Sequence, residues 1–497
     1  MNKFTIRKLL AIVFAVVLVL ALALTALAAW PSFQNDNSNN GVITNGTPPT
    51  ATPTTVISNG LTTNNPGGAV YTGIDAASVI NGGTVYTVYN GGVAGSNAIG
   101  GARLAITDLA TGASRNIQLD AQADNVSQLS TPYLDTGTGT LYALTTRGGG
   151  VSSVWALWAV TNLSGATPNV RQIANGQWQA NTPITPNTNV NAAYIYFGTW
   201  STDANYTGVG DGAYYQFDTS TGTLTQFKPV EGDDFYGAGA AIVPVNNANY
   251  VVFGSDGYRA NLASIYVQPV GANFATSANV IPMSSRYSTD KIRSSVAHDA
   301  NSRALYFTSR TAASGTYTGE VWQLPINSLL TAGNLGTLAT AASLGNYAST
   351  STPVISENGY VYIGYYYYNA SFVGNGGVAG ILAANFQTGS LFDVYGNGIS
   401  GTGTAGDPVQ SSAIVSSGVD PDTELPIDYI YFTTNSASGK GYAYSYTENS
   451  KIPRVGVVAS LWSAGGTSGN PYAVQGFASD SGYLVYGDDG NNLYIMK

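Results

Sequence analysis

A short aromatic-aliphatic strand recurs eight times along this chain at a nearly constant interval, and that recurrence limits the possible fold more than any other feature. The copies are Thr84-Val85-Tyr86, Thr140-Leu141-Tyr142, Tyr194-Ile195-Tyr196, Tyr250-Val251-Val252, Ala304-Leu305-Tyr306, Tyr360-Val361-Tyr362, Tyr429-Ile430-Tyr431 and Tyr483-Leu484-Val485. Their third residues are separated by steps of 56, 54, 56, 54, 56, 69 and 54. A period of this order filled with short strands predicts one blade per repeat of a radially arranged β-sheet. About nine or ten residues before most copies stands a small polar start and an apolar pair, as in Ser130-Thr131-Pro132-Tyr133, Ser294-Ser295-Val296 and Ser351-Thr352-Pro353-Val354. A Gly- or Asn-rich turn joins the two, giving a hairpin, and two further strands follow. In three repeats those last strands turn on a Thr-Gly pair, at Thr111-Gly112, Thr221-Gly222 and Thr388-Gly389. The expectation is an all-β, eight-bladed β-propeller of four-stranded antiparallel blades, with seven blades as the alternative.

The last repeat supplies only three strands, Val474 to Ala478, Tyr483 to Tyr486 and Asn492 to Met496. The fourth is expected from the N-terminal side, at Thr54 to Ser58, with Ala69 to Thr72 as the fallback. Pairing there would cover an edge that otherwise templates aggregation. Residues 29–53, rich in Asn, Thr and Pro, read as an arm, and residues 54–497 as the propeller. The alternative use of the arm is donation of a strand to a neighbouring copy, giving a filament.

Residues 1–28 read as a signal peptide. Lys3, Arg7 and Lys8 precede an apolar run from Leu9 to Leu24, and Ala26-Leu27-Ala28 offers a cleavage site. No later run is long enough for a transmembrane helix. The chain has no cysteine, which excludes disulfides and thiolate chemistry. Charged residues are 9% of the chain and the net charge is −9, which argues against nucleic acid as a partner. Together these features point to a secreted or cell-surface protein whose partner is a protein, a polysaccharide or a second copy of itself.

The Ser-Thr-Pro-Val start, Gly turn, Val-Tyr-Ile-Gly strand and Asp-x-x-Thr-Gly hairpin resemble the quinoprotein-type (PQQ-like) propeller repeat. The opening Trp30-Pro31-Ser32-Phe33-Gln34-Asn35-Asp36 is similar to the start of many exported members. The resemblance implies eight blades and, for the enzymatic members, a quinone cofactor on the propeller axis held with a cation and often a vicinal cysteine pair. This chain lacks the tryptophan that usually follows the Thr-Gly hairpin, and it has no cysteine. No cofactor residue is therefore carried over.

His298 is the only histidine and fits an ordinary strand end better than a general base beside Asp299. Gly401 to Gly406 matches a dinucleotide fingerprint in letters alone, without the following helix. Glu231, Asp233 and Asp234, and separately Asp420, Asp422 and Glu424, are acidic groups on loops. The second trio is the candidate Ca²⁺ site, because it places oxygen ligands at alternating positions. Tyr365, Tyr366, Tyr367 and Tyr368, with Phe372, form the candidate partner-binding surface, since tyrosine gives rigid amphipathic contact area, and packing between blades is the alternative use of the run. The functional expectation is a non-enzymatic binding or scaffold protein. The filament subunit and a quinone-dependent or polysaccharide-active enzyme are the alternatives.

Overall fold

A computed structural model describes residues 29–497 except 45, 55, 62–72, 93–98, 123–129, 149–151, 202–211, 230–231, 258–261, 314–315, 370–373, 400–405, 438, 449–455 and 467–471. Residues 1–28, read above as a signal peptide, and Phe372 lie outside the described residues. Eight antiparallel sheets form an eight-bladed propeller of four-stranded blades, whose strands run from the axis outward in chain order except in blade 8, where the outermost strand comes from the N-terminal side. Blade 1, for example, is built from Val79–Asn81, Thr84–Gly92, Ile99–Asp108 and Ser114–Asp120.

The eight aromatic-aliphatic copies occupy one structural position. Tyr86, Tyr142, Tyr196, Val252, Tyr306, Tyr362, Tyr431 and Val485 all lie on second strands. They pair in register with Val79, Tyr133, Thr185, Ala241, Ala297, Val354, Ile414 and Ala478 of the innermost strands. All eight are buried. Their neighbours cross blade boundaries: Val79 and Val88 of blade 1 share a cluster with Leu134 and Leu141 of blade 2. Burying such apolar area stabilises by about 25 cal/mol per Å², so many small inter-blade cores add up.

The small polar start of each repeat serves two sets of hydrogen bonds. The hydroxyl three residues before the register-paired position accepts an amide of its own blade's second strand. Gly198 N donates to Thr182 Oγ1 at 2.7 Å, Thr308 N to Ser294 Oγ at 2.8 Å, Gly364 N to Ser351 Oγ at 3.1 Å and Thr433 N to Ser411 Oγ at 3.2 Å. One residue later, a hydroxyl accepts an amide from the preceding blade. Ala77 N donates to Thr131 Oγ1, Gly239 N to Ser295 Oγ, Ser295 N to Thr352 Oγ1 and Thr352 N to Ser412 Oγ, at 2.8–3.2 Å. These bonds link blades into an arc around the axis.

The outermost strand of blade 8 is Val56–Gly60, antiparallel to Asn492–Met496 from Val56↔Met496 to Gly60↔Asn492. The strand expected at Thr54 to Ser58 is thus present, two residues further along. Thr54 N donates to Lys497 O at 3.1 Å and Leu61 N to Asn491 O at 2.9 Å, extending the pairing at both ends.

Residues 29–53, read above as an arm, are built into the propeller instead. Ala29–Trp30 pairs with Ile80 and Asn81 on the axial edge of blade 1. The segment then crosses the axis and satisfies amides on the inner strands: Leu134 N donates to Pro31 O, Ile242 N to Asn37 O, His298 N to Ser38 O and Val415 N to Gly41 O. Asn39 Nδ2 donates to Ala240 O at 2.6 Å and Val296 O at 2.9 Å, holding blades 4 and 5 at once. The physical reason is the inner-strand edge: each innermost strand leaves amides and carbonyls facing the axis, and buried backbone groups need partners. Trp30, Phe33 and Ile43 are buried along this path. Gly41 permits it at φ +66°, where a Cβ would come within 2.8 Å of Val354 Cγ2. The segment leaves the axis toward blade 7, where Trp462 Nε1 donates to Pro49 O at 2.8 Å.

Two outcomes test this arrangement. Thr352→Val keeps size but leaves the buried Ser295 N–H unpaired, and should cost about 1–3 kcal/mol, read as a lowered denaturant midpoint. Deleting residues 1–61 should give an aggregating or strongly destabilised product by size-exclusion and thermal melting. A deletion product that melts and elutes like the parent would contradict the closure.

Candidate functional site: a polar cup on the axis

At one end of the channel the blades enclose a cavity of about 310 Å³, with Phe33 of the crossing segment among its lining residues. The remaining wall is periodic. The residue four before each register-paired position gives a ring of Asp75, Leu129, Asn181, Gly237, Arg293, Thr350, Gln410 and Val474. All of these except Leu129, which lies outside the described residues, line the cup. In an eight-membered ring, blade 1 faces blade 5 and blade 3 faces blade 7. Asp75 is therefore opposite Arg293, and Asn181 opposite Gln410. Thr131, Ser295, Thr352 and Ser412, the hydroxyls of the inter-blade arc, form the next layer.

The charges around the cup are largely paired within the protein. Asp256 is buried and takes Arg293 Nε at 2.8 and 3.0 Å on its two oxygens, Arg293 Nη2, and Lys291 Nζ at 3.4 Å. Burial alone would raise the Asp256 carboxyl, but the Arg293 and Lys291 charges override it and hold it below the usual range. Arg293 is held protonated: burial works against its charge, and Asp256 more than compensates. Its guanidinium lies 4.3 Å over the Tyr236 ring. Arg310 reaches the cup from blade 5, and its Nη1 donates to the Tyr366 hydroxyl of blade 6. On the opposite side, burial raises the carboxyls of Asp75 and Asp489, which are each other's hydrogen-bond partner.

The candidates from sequence distribute as follows. Tyr365 and Tyr366 are buried, while Tyr367 and Tyr368 are half-buried. Tyr365 donates to Asp393 at 2.9 Å and Tyr368 to Asn435 O at 3.2 Å, so both are tied into the blades. Tyr366 is the member that meets the cup. Asp420, Asp422 and Glu424 form the turn of the first hairpin of blade 7. There Asp420 Oδ1 accepts the amides of Asp422 at 2.9 Å and Thr423 at 3.3 Å, which lowers its carboxyl. Among the described residues no three His, Cys, Asp or Glu side chains are grouped to hold a metal ion. His298 is a buried inner-strand residue, and burial lowers its imidazole below the ordinary value. Asp233 and Asp234 are buried beside blade 4. Tyr266 Oη donates to Asp233 at 2.8 Å, and Ser201 N and Oγ donate to Asp234 at 2.9 and 2.8 Å. Burial pushes Asp233 up to about 7 and Asp234 up to about 6. The residues missed from sequence are Arg293, Arg310, Asn181 and Asp75. For Asp75, Asn181 and Arg293 the available signal was their fixed offset from the inner strands; Arg310, on the second strand of blade 5, carried no such signal.

No protein-family model and no curated protein matches the chain. Among solved structures it is similar to Drosophila Semaphorin 2a, with a TM-score of 0.44 and 10% identity over 76% of this chain and 75% of that one. Drosophila Plexin A in complex with Semaphorin 1b gives a TM-score of 0.42 and 10% identity over 91% and 88%. A subtype N10 neuraminidase-like protein of A/little yellow-shouldered bat gives 0.32 and 11% over 64% and 94%. At this degree of similarity they say nothing of what this chain binds. No helix among the described residues is long and apolar enough to cross a membrane.

The raised carboxyls give a pH signature. A carboxyl whose folded pKa lies above its unfolded value holds more protons folded than unfolded in the window between the two. For Asp233 that window runs from 3.8 to about 7, and for Asp234 from 3.8 to about 6, so stability falls as pH rises through it. The melting temperature should be higher at about pH 5 than at about pH 8. Asp233→Asn, which keeps an acceptor for Tyr266, should narrow that difference. A melting curve unchanged across the range would refute the assignment.

Proposed function

We propose that this chain is an exported, non-enzymatic propeller that binds or scaffolds at the cell surface, with a protein or polysaccharide as partner. The observation that carries this reading is the occupied axis. The resemblance to quinoprotein-type repeats would put a cofactor on that axis, and here Phe33, Gln34 and Asn39 of the chain itself are buried along it. What remains is a small polar cup in which Arg293 pairs with Asp256, Asp75 meets Asp489, and Arg310 meets the Tyr366 hydroxyl. A rigid ring with a polar recess suits recognition, because binding costs little ordering of the protein. The low-charge composition, rich in Tyr and in uncharged polar residues, and the leader-like first 28 residues favour a surface address. The arm that a filament reading would donate to a neighbour runs along the inner strands of this chain's own blades.

Purified protein should bind an envelope fraction of its source cells saturably, with competition by soluble protein or polysaccharide released from that fraction. The same preparation, supplied with pyrroloquinoline quinone, Ca²⁺ and alcohols or sugars, should show no turnover. Turnover that disappears on changing Asp75 or Arg310, without envelope binding, would replace this reading with the enzymatic one.

A further inference from the structure

We propose that the axial cup binds a carboxylated sugar, a single uronic-acid unit, with its carboxylate on Arg310 and its hydroxyls on the Asn181, Ser130 and Ser/Thr wall. This deepens the surface-binding reading by naming the partner's chemistry, and it rests on that reading.

Three observations converge. First, polar atoms on the cup wall lack partners. Both the nitrogen and the oxygen of the Asn181 amide, Ser130 Oγ and Arg310 Nε are buried without a hydrogen bond, and all three residues line the cup. Buried polar groups are ordinarily satisfied, so orphans gathered around one cavity point to an occupant that completes them. Second, the wall is rich in donors. Thr131, Ser295, Thr352 and Ser412 each accept a backbone amide, which leaves each hydroxyl its own proton to donate. With the Asn181 amide and the Arg310 guanidinium, this arrangement suits a ligand dense in oxygen acceptors. Third, the two guanidiniums differ. Arg293 is hydrogen-bonded to the carboxylate of Asp256, whereas Arg310, whose charge also acts on Asp256, has the Tyr366 phenol as its hydrogen-bond partner. Arg310 is therefore the cation placed to take a carboxylate, the pairing that a planar guanidinium favours.

Size and the opposite wall narrow the class. A cavity of about 310 Å³ is at the small end for ligand sites and suits one sugar ring. A cationic ligand would need a free carboxylate, and the carboxyl that lines the cup, Asp75, is raised by burial and engaged with Asp489. In that state Asp75 is suited to exchanging hydrogen bonds with a sugar hydroxyl.

The test is calorimetric titration of the purified protein with galacturonate, trigalacturonate, glucose and inorganic phosphate, alongside Arg310→Gln and Asn181→Ala. The parent should bind galacturonate saturably and glucose at least about tenfold more weakly, and each variant should lose about ten- to a hundredfold in galacturonate affinity. Tighter binding of trigalacturonate would assign the cup to a polymer end; equal binding would assign it to the free sugar acid. Melting curves establish that the variants fold. Because Arg310 and Asn181 are on different blades, either variant alone carries the test if the other fails to fold. Glucose or phosphate binding as well as galacturonate, or folded variants that bind galacturonate like the parent, would overturn the proposal. Saturable envelope binding with no uronate binding overturns this inference alone, whereas loss of both also removes the surface reading beneath it.

Discussion

The structure depends on how the two ends of a ring are joined. Eight sheets packed side by side leave one sheet short of a strand, and an exposed sheet edge is a template for association. Here five residues, Val56–Gly60, fill that place by antiparallel pairing with Asn492–Met496. The joint links sequence positions more than 400 residues apart, so the blades packed on either side of it depend on the pairing to stay closed. The segment that delivers this strand does further work on the way. From Ala29 to Ile43 it passes along the inner edges of the blades and supplies carbonyls to amides that would otherwise face an empty channel. Closure and channel filling are two consequences of one path.

That path also sets the character of the functional site. With the middle of the axis filled, the accessible part of the channel is a cup walled by the residues just before each inner strand. Those residues are free to vary because the strand hydrogen bonds begin only after them. The neighbouring hydroxyls are not free, since they carry the bonds between adjacent blades. The cup therefore has a fixed layer of Ser and Thr and a variable rim, where Asp75, Asn181, Arg293 and Gln410 give it polarity. The buried ion pair of Arg293 and Asp256 stiffens one side; removing either partner would leave an uncompensated buried charge.

Much of the fold was legible in the sequence, because strand register is written with a period of two and repeats write it eight times. Tyr86 through Val485 marked the second strand of every blade, and the Ser-Thr starts marked the approach to each first strand. The closing strand was found by counting: three strands at the end required a fourth elsewhere. The crossing segment was not legible, although Trp30, Phe33 and Ile43 are apolar anchors spaced through a polar stretch. No periodicity marks them, because the partners of this segment are backbone groups on several different blades. The tyrosine run was readable as blade packing or as contact surface but not divided between them, since strand alternation does not say which neighbour covers each face. The cup was out of reach for the same reason. Arg310 and Tyr366 lie 56 residues apart and meet only through the ring.

The most direct measurement of closure exploits the absence of cysteine. Gly60 and Asn492 are register partners across the closing pair, at a separation that strands share with disulfides. Gly60→Cys with Asn492→Cys, oxidised and analysed by mass spectrometry and non-reducing electrophoresis, should give a cross-link within one chain and a monomeric band. Cross-links found only between chains, as a ladder of oligomers, would show that the strand is donated to a neighbour and would contradict the account.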